Sequence, residues 1–587
     1  MASILDQTCP DCTELDIYSV FRTGRLEVPQ PGFTRQAQDL ALHPECSLCR
    51  TLLWAASQVY DHDLKLPPSR QSTTTPAFTP ADKVILRPKY LRPNQYGLGL
   101  SGWVAPERRF PVLARRVNGT EFDGEHAKSW LHQCDTVHGH HCARTSSHAR
   151  SEFQLRLIDV DQDCLVLAPE NCTYTALSYV WGDVQQPLLK TTCLDTWQVP
   201  GAFTDIRLPL TIRDAMHVCR RLGLRYLWVD SLCIVQDLAD VVAGQVAHMD
   251  SVYSGAHLTI IAAAGADCES GIPSVQPRPP VQHRARVAGG PDIGTAAASV
   301  LDVLKQSRWN SRAWTLQEYA LSRRFLVFID RHVFFCCGEG IRQEDVHGYV
   351  VDDVPRKHQA DLPMLRPFLI SNRLEFEVMK HVYIPLVVSY APRTTTFPDD
   401  IINAFGGVIG TLTPILGSFR YGIPRQFFLH GMCWSYHGPF RRRPLFPSWS
   451  WAGWDFASHH NYGGRFGYLT PHGAGQLICP TRVLDNRGSP IASPSFPSDR
   501  QQIFKGLDLD KRVRGHVLVF ATFTVSLTIS QHPTFRLSTR EEMERLGKPV
   551  LFILLAVAPP SVVLLPVKMV GKVLERIENL QLMNEGE

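Results

Sequence analysis

The sequence predicts an α/β fold: an open, mainly parallel sheet with helices on its faces, preceded by a cysteine-rich region and followed by mixed α+β lobes. Three observations between Tyr174 and Glu318 carry this expectation. Short runs at 174–180, 225–230 and 257–263 are nearly continuously apolar, the pattern of strands covered on both faces. A helical stretch separates each run from the next, which a parallel crossover needs and a hairpin does not. The runs lead into Trp181-Gly182-Asp183, Asp230-Ser231 and Gly265, at the carboxyl edge where open sheets of this kind collect ligands.

The chain opens with Cys9-Pro-Asp-Cys12 and His43-Pro-Glu-Cys46-Ser-Leu-Cys49, two Cys-x-x-Cys pairs separated by residues 13–45. Four thiolates so paired suit one structural zinc ion held by Cys9, Cys12, Cys46 and Cys49; two pairs of buried thiols beside a helix are the other reading. Residues 66–111 are rich in proline, serine and threonine and contain Gly97-Leu-Gly-Leu-Ser-Gly102. No apolar strand precedes these glycines, so their match to the dinucleotide pattern is read as chance. Trp130, Leu131, Cys134, His138 and Cys142 are read as a helix with a packed tryptophan in preference to a second metal site. Residues 153–159 alternate apolar and polar and predict a strand leading into the core.

Within the core, Ile212, Ala215, Met216, Cys219 and Leu222 recur at helical steps, with Thr211 as the expected N-cap and Gly223 at the left-handed C-terminal position. A second helix is expected over 240–253, ended by Gly255. Residues 267–300, dense in proline, glycine and alanine, predict an irregular excursion. Residues 307–321 read as a loop running into a helix that places Trp314 and Glu318 one turn apart, and 324–329 with 332–336 as a hairpin added to the sheet. Beyond it, a capped helix is expected near 399–405. Trp449, Trp451 and Trp454 cannot share one strand face and are read as packing residues rather than a ligand platform. The apolar stretch 550–567 approaches the length of a membrane span, but Pro559-Pro560 interrupts it, and two strands joined by a turn explain it better.

Three blocks in this order, Tyr174-Thr-Ala-Leu-Ser-Tyr-Val-Trp-Gly182, Leu227-Trp-Val-Asp-Ser-Leu-Cys-Ile-Val-Gln-Asp237 and Ser311-Arg-Ala-Trp-Thr-Leu-Gln-Glu318, resemble the signature blocks of the fungal heterokaryon-incompatibility (HET) domain. The resemblance implies non-self recognition ending in programmed death of fused fungal cells, with other incompatibility or signalling proteins, or a second copy of the chain, as partners. The core is also similar to TIR domains, whose sheet is of the flavodoxin-like kind and whose NAD-cleaving members carry a catalytic glutamate four residues after a tryptophan. Trp314 to Glu318 has that spacing. By this resemblance Glu318 is the candidate catalytic residue and NAD the candidate substrate, with Tyr179, Trp181, Gly182, Asp183, Asp230 and Trp314 lining the site. A carboxylate there would stabilise the oxocarbenium charge that develops as nicotinamide leaves ribose. The competing readings are a non-enzymatic interaction module, with Glu318 paired to Arg312, Arg323 or Arg324, and an inactive paralogue.

Composition bounds the rest. With 587 residues, 44% of them hydrophobic, the chain can bury a large core, and four regions are expected: 1–150 cysteine-rich with a linker, 151–340 the core, 341–480 helical and tryptophan-rich, and 481–587 β-rich. A net charge of +4 with no long basic run gives no reason to expect nucleic acid. Residues 1–10 lack the basic and apolar regions of a secretory signal, so a cytoplasmic location with mostly reduced or metal-bound thiols is expected for the 16 cysteines. Phosphate-loop, zinc-protease and nucleophile-elbow motifs are missing, and Cys233, just after an apolar strand, is read as core rather than as a nucleophile.

Overall fold

The computed structural model describes, as its longer runs, residues 121–139, 154–275, 300–329, 331–347, 374–432 and 449–456, with shorter stretches that include 9–10, 43–50, 113–117, 142, 434–437 and 441–447, and isolated strands elsewhere. The chain divides into two compact units. The first comprises Met1–Gln245, Ser251–Trp309 and Ser322–Arg356, and the second Val246–Asp250, Asn310–Leu321 and Lys357–Glu587.

The first unit is built on an eight-stranded sheet. Its strands in chain order are β1 (Arg156–Asp159), β2 (Cys164–Leu167), β3 (Tyr174–Ser178), β4 (Tyr226–Trp228), β5 (Leu258–Ala262), β6 (Arg324–Ile329), β7 (His332–Cys337) and β8 (Gly340–Gln343). They lie side by side as β8-β7-β6-β5-β3-β4-β1-β2. The three expected strands are adjacent and parallel: Thr175 pairs with Leu227 of β4 on one side and with Leu258 of β5 on the other. β6 extends the parallel set beyond β5, and antiparallel hairpins close both edges. Every residue of β3, β5 and β6 is buried, which explains why their sequences do not alternate. The four parallel strands run in the spatial order second, first, third, fourth, so the strand order reverses between β3 and β5. In open sheets such a reversal leaves a crevice at the carboxyl ends.

The connections are partly as expected. Helix α1 (Gly124–Val137) precedes the sheet, and Trp130 packs toward Phe335 of β7 with ring centroids 6.1 Å apart. Helix α2 (Leu210–Leu222) links β3 to β4, and Gly223 ends it at φ 72°, the left-handed conformation. Its N-cap is Pro209 and not Thr211. Thr211 lies inside the helix, and its hydroxyl accepts from the Gly271 N–H at 3.1 Å while Asp214 accepts from Ile272 N–H at 2.7 Å. The loop after β5 does the capping, because Cys268 O accepts from the Thr211 N–H at 3.0 Å and Glu269 Oε2 from the Leu210 N–H at 3.4 Å, which no local pattern reveals. The single helix expected over 240–253 is two, α3 (Ala239–Ala247) and α4 (Met249–Gly255). The excursion at 267–300 is not wholly irregular, because 284–286 and 292–295 pair with each other and 292–295 with 100–103.

In the second unit, helix α5 (Trp314–Leu321) carries the last signature block, and helix α6 (Gly406–Leu416) follows two tight turns at Pro398–Ile401 and Asn403–Phe405. The helix expected at 399–405 thus begins seven residues later than proposed, since Pro398 and two acidic residues support a 3₁₀ turn first. Trp449, Trp451 and Trp454 are all buried and face different aromatic neighbours: Phe428 and Tyr421, Tyr390 and Phe405, and Trp434. Strands 550–558 and 561–570 pair antiparallel, and no helix among the described residues is long and apolar enough to cross a membrane.

Candidate functional site

At the carboxyl ends of β3 and β4 the first two signature blocks meet. Trp181 donates its indole N–H to Asp230 Oδ2 at 2.8 Å, and the other carboxylate oxygen of Asp230 accepts from the Ser231 N–H at 2.7 Å. Trp181 and Asp230 are only half-buried, so this pair forms part of the wall of the edge rather than of the core. Tyr179 lies deeper, 3% exposed, with its hydroxyl 2.9 Å from Gln186 Oε1 and 3.0 Å from Ser231 Oγ. Burial, supported by the Asp230 charge, holds this hydroxyl well above its usual pKa, so it stays protonated. Below it, Trp309 is fully buried and donates to Ser178 Oγ at 2.7 Å.

Gly182 adopts φ 71°, and a Cβ there would meet the Cβ of Asp267 at 2.3 Å. The glycine is needed for that approach. It lets the turn after β3 press against the loop after β5, where Cys268 N–H also reaches Trp181 O at 3.2 Å. Asp183 is fully exposed, 3.8 Å from Arg308. The segment after β4 is fastened from the other side, with Gln236 N–H donating to Leu189 O and Thr191 binding the Asp237 carboxylate through its N–H and hydroxyl. The result is a rigid rim of backbone turns around a polar edge.

Trp314 and Glu318 belong to the second unit and Tyr179, Trp181, Gly182, Asp183 and Asp230 to the first. Glu318 is buried, at 7% exposure. Its charge helps to support Arg393, whose guanidinium burial pushes down to about 9 despite the opposing pull of Tyr390, Glu318 and Tyr319. Arg393 in turn binds Arg312 O at 3.2 Å, Thr315 Oγ1 at 3.0 Å and Asn310 Oδ1 at 2.5 Å, which fixes the start of α5. Cys233 is completely buried, and its thiol is pushed up to about 12, chiefly by burial, which suits a core residue and no nucleophile.

Among the described residues, two groups of side chains could hold a metal ion. Three of the four N-terminal thiols, Cys9, Cys46 and Cys49, have their sulfurs within 4.8 Å of one another, and Cys12 lies outside the described residues. Cys9 Sγ and Cys49 Sγ are 3.8 Å apart, about the edge of a tetrahedron with metal–sulfur bonds of ~2.3 Å. The second group is Cys134, His138, Cys142 and Cys337. Sequence reading preferred packing for the first three, and the packed Trp130 is there, but the same helix also delivers Cys134 and His138 to a common point. Cys337 was missed because it stands about 200 residues away. The available signal was Cys336-Cys337 at the end of an apolar strand, where alternation must send the two thiols to opposite faces.

Among known families, residues 174–318 match the model described as Heterokaryon incompatibility protein (HET). No curated protein and no solved structure matches the chain.

Proposed function

We propose that the chain acts in heterokaryon incompatibility as an effector or signalling module of cell death in the fungal cytoplasm, and that the Trp181–Asp230 edge is where it engages its ligand or partner. The observation that supports this most is the joint placement of the first two signature blocks at the carboxyl ends of the adjacent strands β3 and β4, next to the reversal of strand order between β3 and β5, where Gly182 presses against Asp267. Partners on this reading are other incompatibility proteins or a second copy of the chain. Zinc at Cys9, Cys46 and Cys49, with Cys12 as the fourth ligand, would be structural.

Expression of the full chain in a fungal cell tests the proposal. Wild type should kill. Trp181→Ala and Asp230→Asn, which alter the edge and leave the strands intact, should lose killing while keeping the melting temperature within a few degrees. Normal growth with abundant folded wild-type protein would refute the effector role, and killing unchanged in both variants would move the working surface elsewhere.

A second reading is cleavage of NAD by Glu318. It draws on a buried carboxylate one turn beyond Trp314 in α5, where a low dielectric would strengthen its effect on a developing cation. Loss of NAD on incubation with the purified chain separates this from the non-enzymatic module.

A further inference from the structure

We propose that Cys134, His138, Cys142 and Cys337 form a closed Cys₃His site for one zinc ion, distinct from the N-terminal thiols, which fastens helix α1 and the turn after it to strand β7. The four ligand atoms all lie within 4.8 Å of one another. His138 Nδ1 is 3.7 Å from Cys142 Sγ and 3.6 Å from Cys337 Sγ. Tetrahedral zinc with bonds of ~2.3 Å to sulfur and ~2.05 Å to nitrogen places those atoms about 3.6 Å apart, so these two edges already have the required length.

Local sequence explains how the ligands arrive. Cys134 and His138 are one turn apart at the end of α1, so they project from the same face. Gly139 then takes φ 51°, and the Cys142 N–H closes on Gly139 O at 3.3 Å, which brings a third ligand to the same place. Cys337 comes from the last position of β7, directly across from Arg324 of β6.

Burial and charge favour an ion over bare thiols. Cys134, Cys142 and Cys337 are 1%, 2% and 4% exposed, and none is in a disulfide. Three sulfurs and an imidazole nitrogen gathered this closely, with the sulfurs shut off from water, make a compact soft donor set. A divalent ion lets all three become thiolates, with the displaced protons passing to solvent, and leaves the site with a single negative charge. Arg324, whose side chain is fully buried beside Cys134 and anchored on Asp135 at 2.6 Å, opposes that charge. Three soft thiolates and an imidazole in tetrahedral array select zinc among common divalent ions, and four protein ligands leave no position open for catalysis.

The test uses the full chain with Cys46→Ser and Cys49→Ser, which removes the N-terminal thiols as a source of metal. Elemental analysis should find one zinc per chain, and adding Cys337→Ser should abolish it. Because that variant could fail to fold, His138→Cys supplies a second measurement in the same background. It should keep the ion and, loaded with cobalt(II) alone, move the visible absorption to longer wavelength as sulfur replaces nitrogen. Absence of zinc from the double variant, a Cys134–Cys142 disulfide in its place by mass, or a cobalt spectrum indifferent to His138→Cys would each overturn the site.

Discussion

Glu344 and Arg278 show what a single residue can hide from the sequence. Both side chains are 4% exposed and joined by two hydrogen bonds of 2.7 and 2.6 Å, while Glu344 Oε1 also accepts from the Val333 N–H at 2.9 Å and Arg278 reaches Arg331 O. Read as sequence, Arg342 to Asp345 is a polar stretch after an apolar hairpin and looks solvated, yet all four of its residues are buried. The partner lies 66 residues earlier, in the segment read as an excursion, so no spacing rule could couple them. Glu344→Ala leaves a guanidinium buried without its counter-charge and should cost about 3–5 kcal/mol, measured as a lowered denaturant midpoint. The double variant Arg278→Met with Glu344→Leu should recover much of that loss, whereas a single variant within about 0.5 kcal/mol of wild type would show that water reaches the pair. Gly182 is the opposite case. The motif Trp-Gly-Asp was visible, but the reason for the glycine, the Asp267 side chain, was not.

At the scale of elements, legibility followed burial. Strands β3, β5 and β6 were readable because burial on both faces leaves a largely apolar run, and the parallel order of β3, β4 and β5 followed from the helices between them. Helix ends were readable where the cap is local, as at Gly223, and unreadable where it is tertiary, as where Cys268 O accepts from the Thr211 N–H. The join of β1 to β4 rests on Asp159, whose carboxylate accepts from Arg225 at 2.7 and 3.0 Å and from the N–H groups of Asp161 and Gln162. Burial alone would raise the Asp159 pKa, but Arg225 and the two backbone donors outweigh it and hold the carboxyl below its usual value. A depressed folded-state pKa contributes stability above the unfolded value of ~3.9, and that contribution is lost as pH falls through the folded pKa. Asp159→Asn should therefore melt below wild type at pH 7, and the gap should close below about pH 4. A gap that stays constant from pH 7 to 3 would assign the effect to shape and not to charge. The half-exposed Arg225 keeps the expected difference modest.

At the scale of the whole molecule, the order of three short blocks was enough to identify the HET segment, while the roles of residues within it depended on neighbours that the order does not reveal. Glu318 is the test case. Its spacing from Trp314 suits a catalytic carboxylate, and its surroundings suit a counter-charge: it is buried, and it offsets part of the burial cost of Arg393, which holds Arg312, Thr315 and Asn310 at the head of α5. These roles predict different behaviour of one variant. Glu318→Gln keeps the shape of the side chain and removes only its charge. If the counter-charge role dominates, as the burial favours, the variant should lose roughly 1–3 kcal/mol of stability, and killing should fall only in proportion to the folded protein that remains. If the charge acts on a developing cation, melting should be nearly unchanged while NAD loss slows by about 10²-fold or more, the usual effect of removing a preorganised electrostatic group. Melting temperature and NAD turnover measured on the same preparation decide between them, and a variant unaltered in both would free Glu318 from either role.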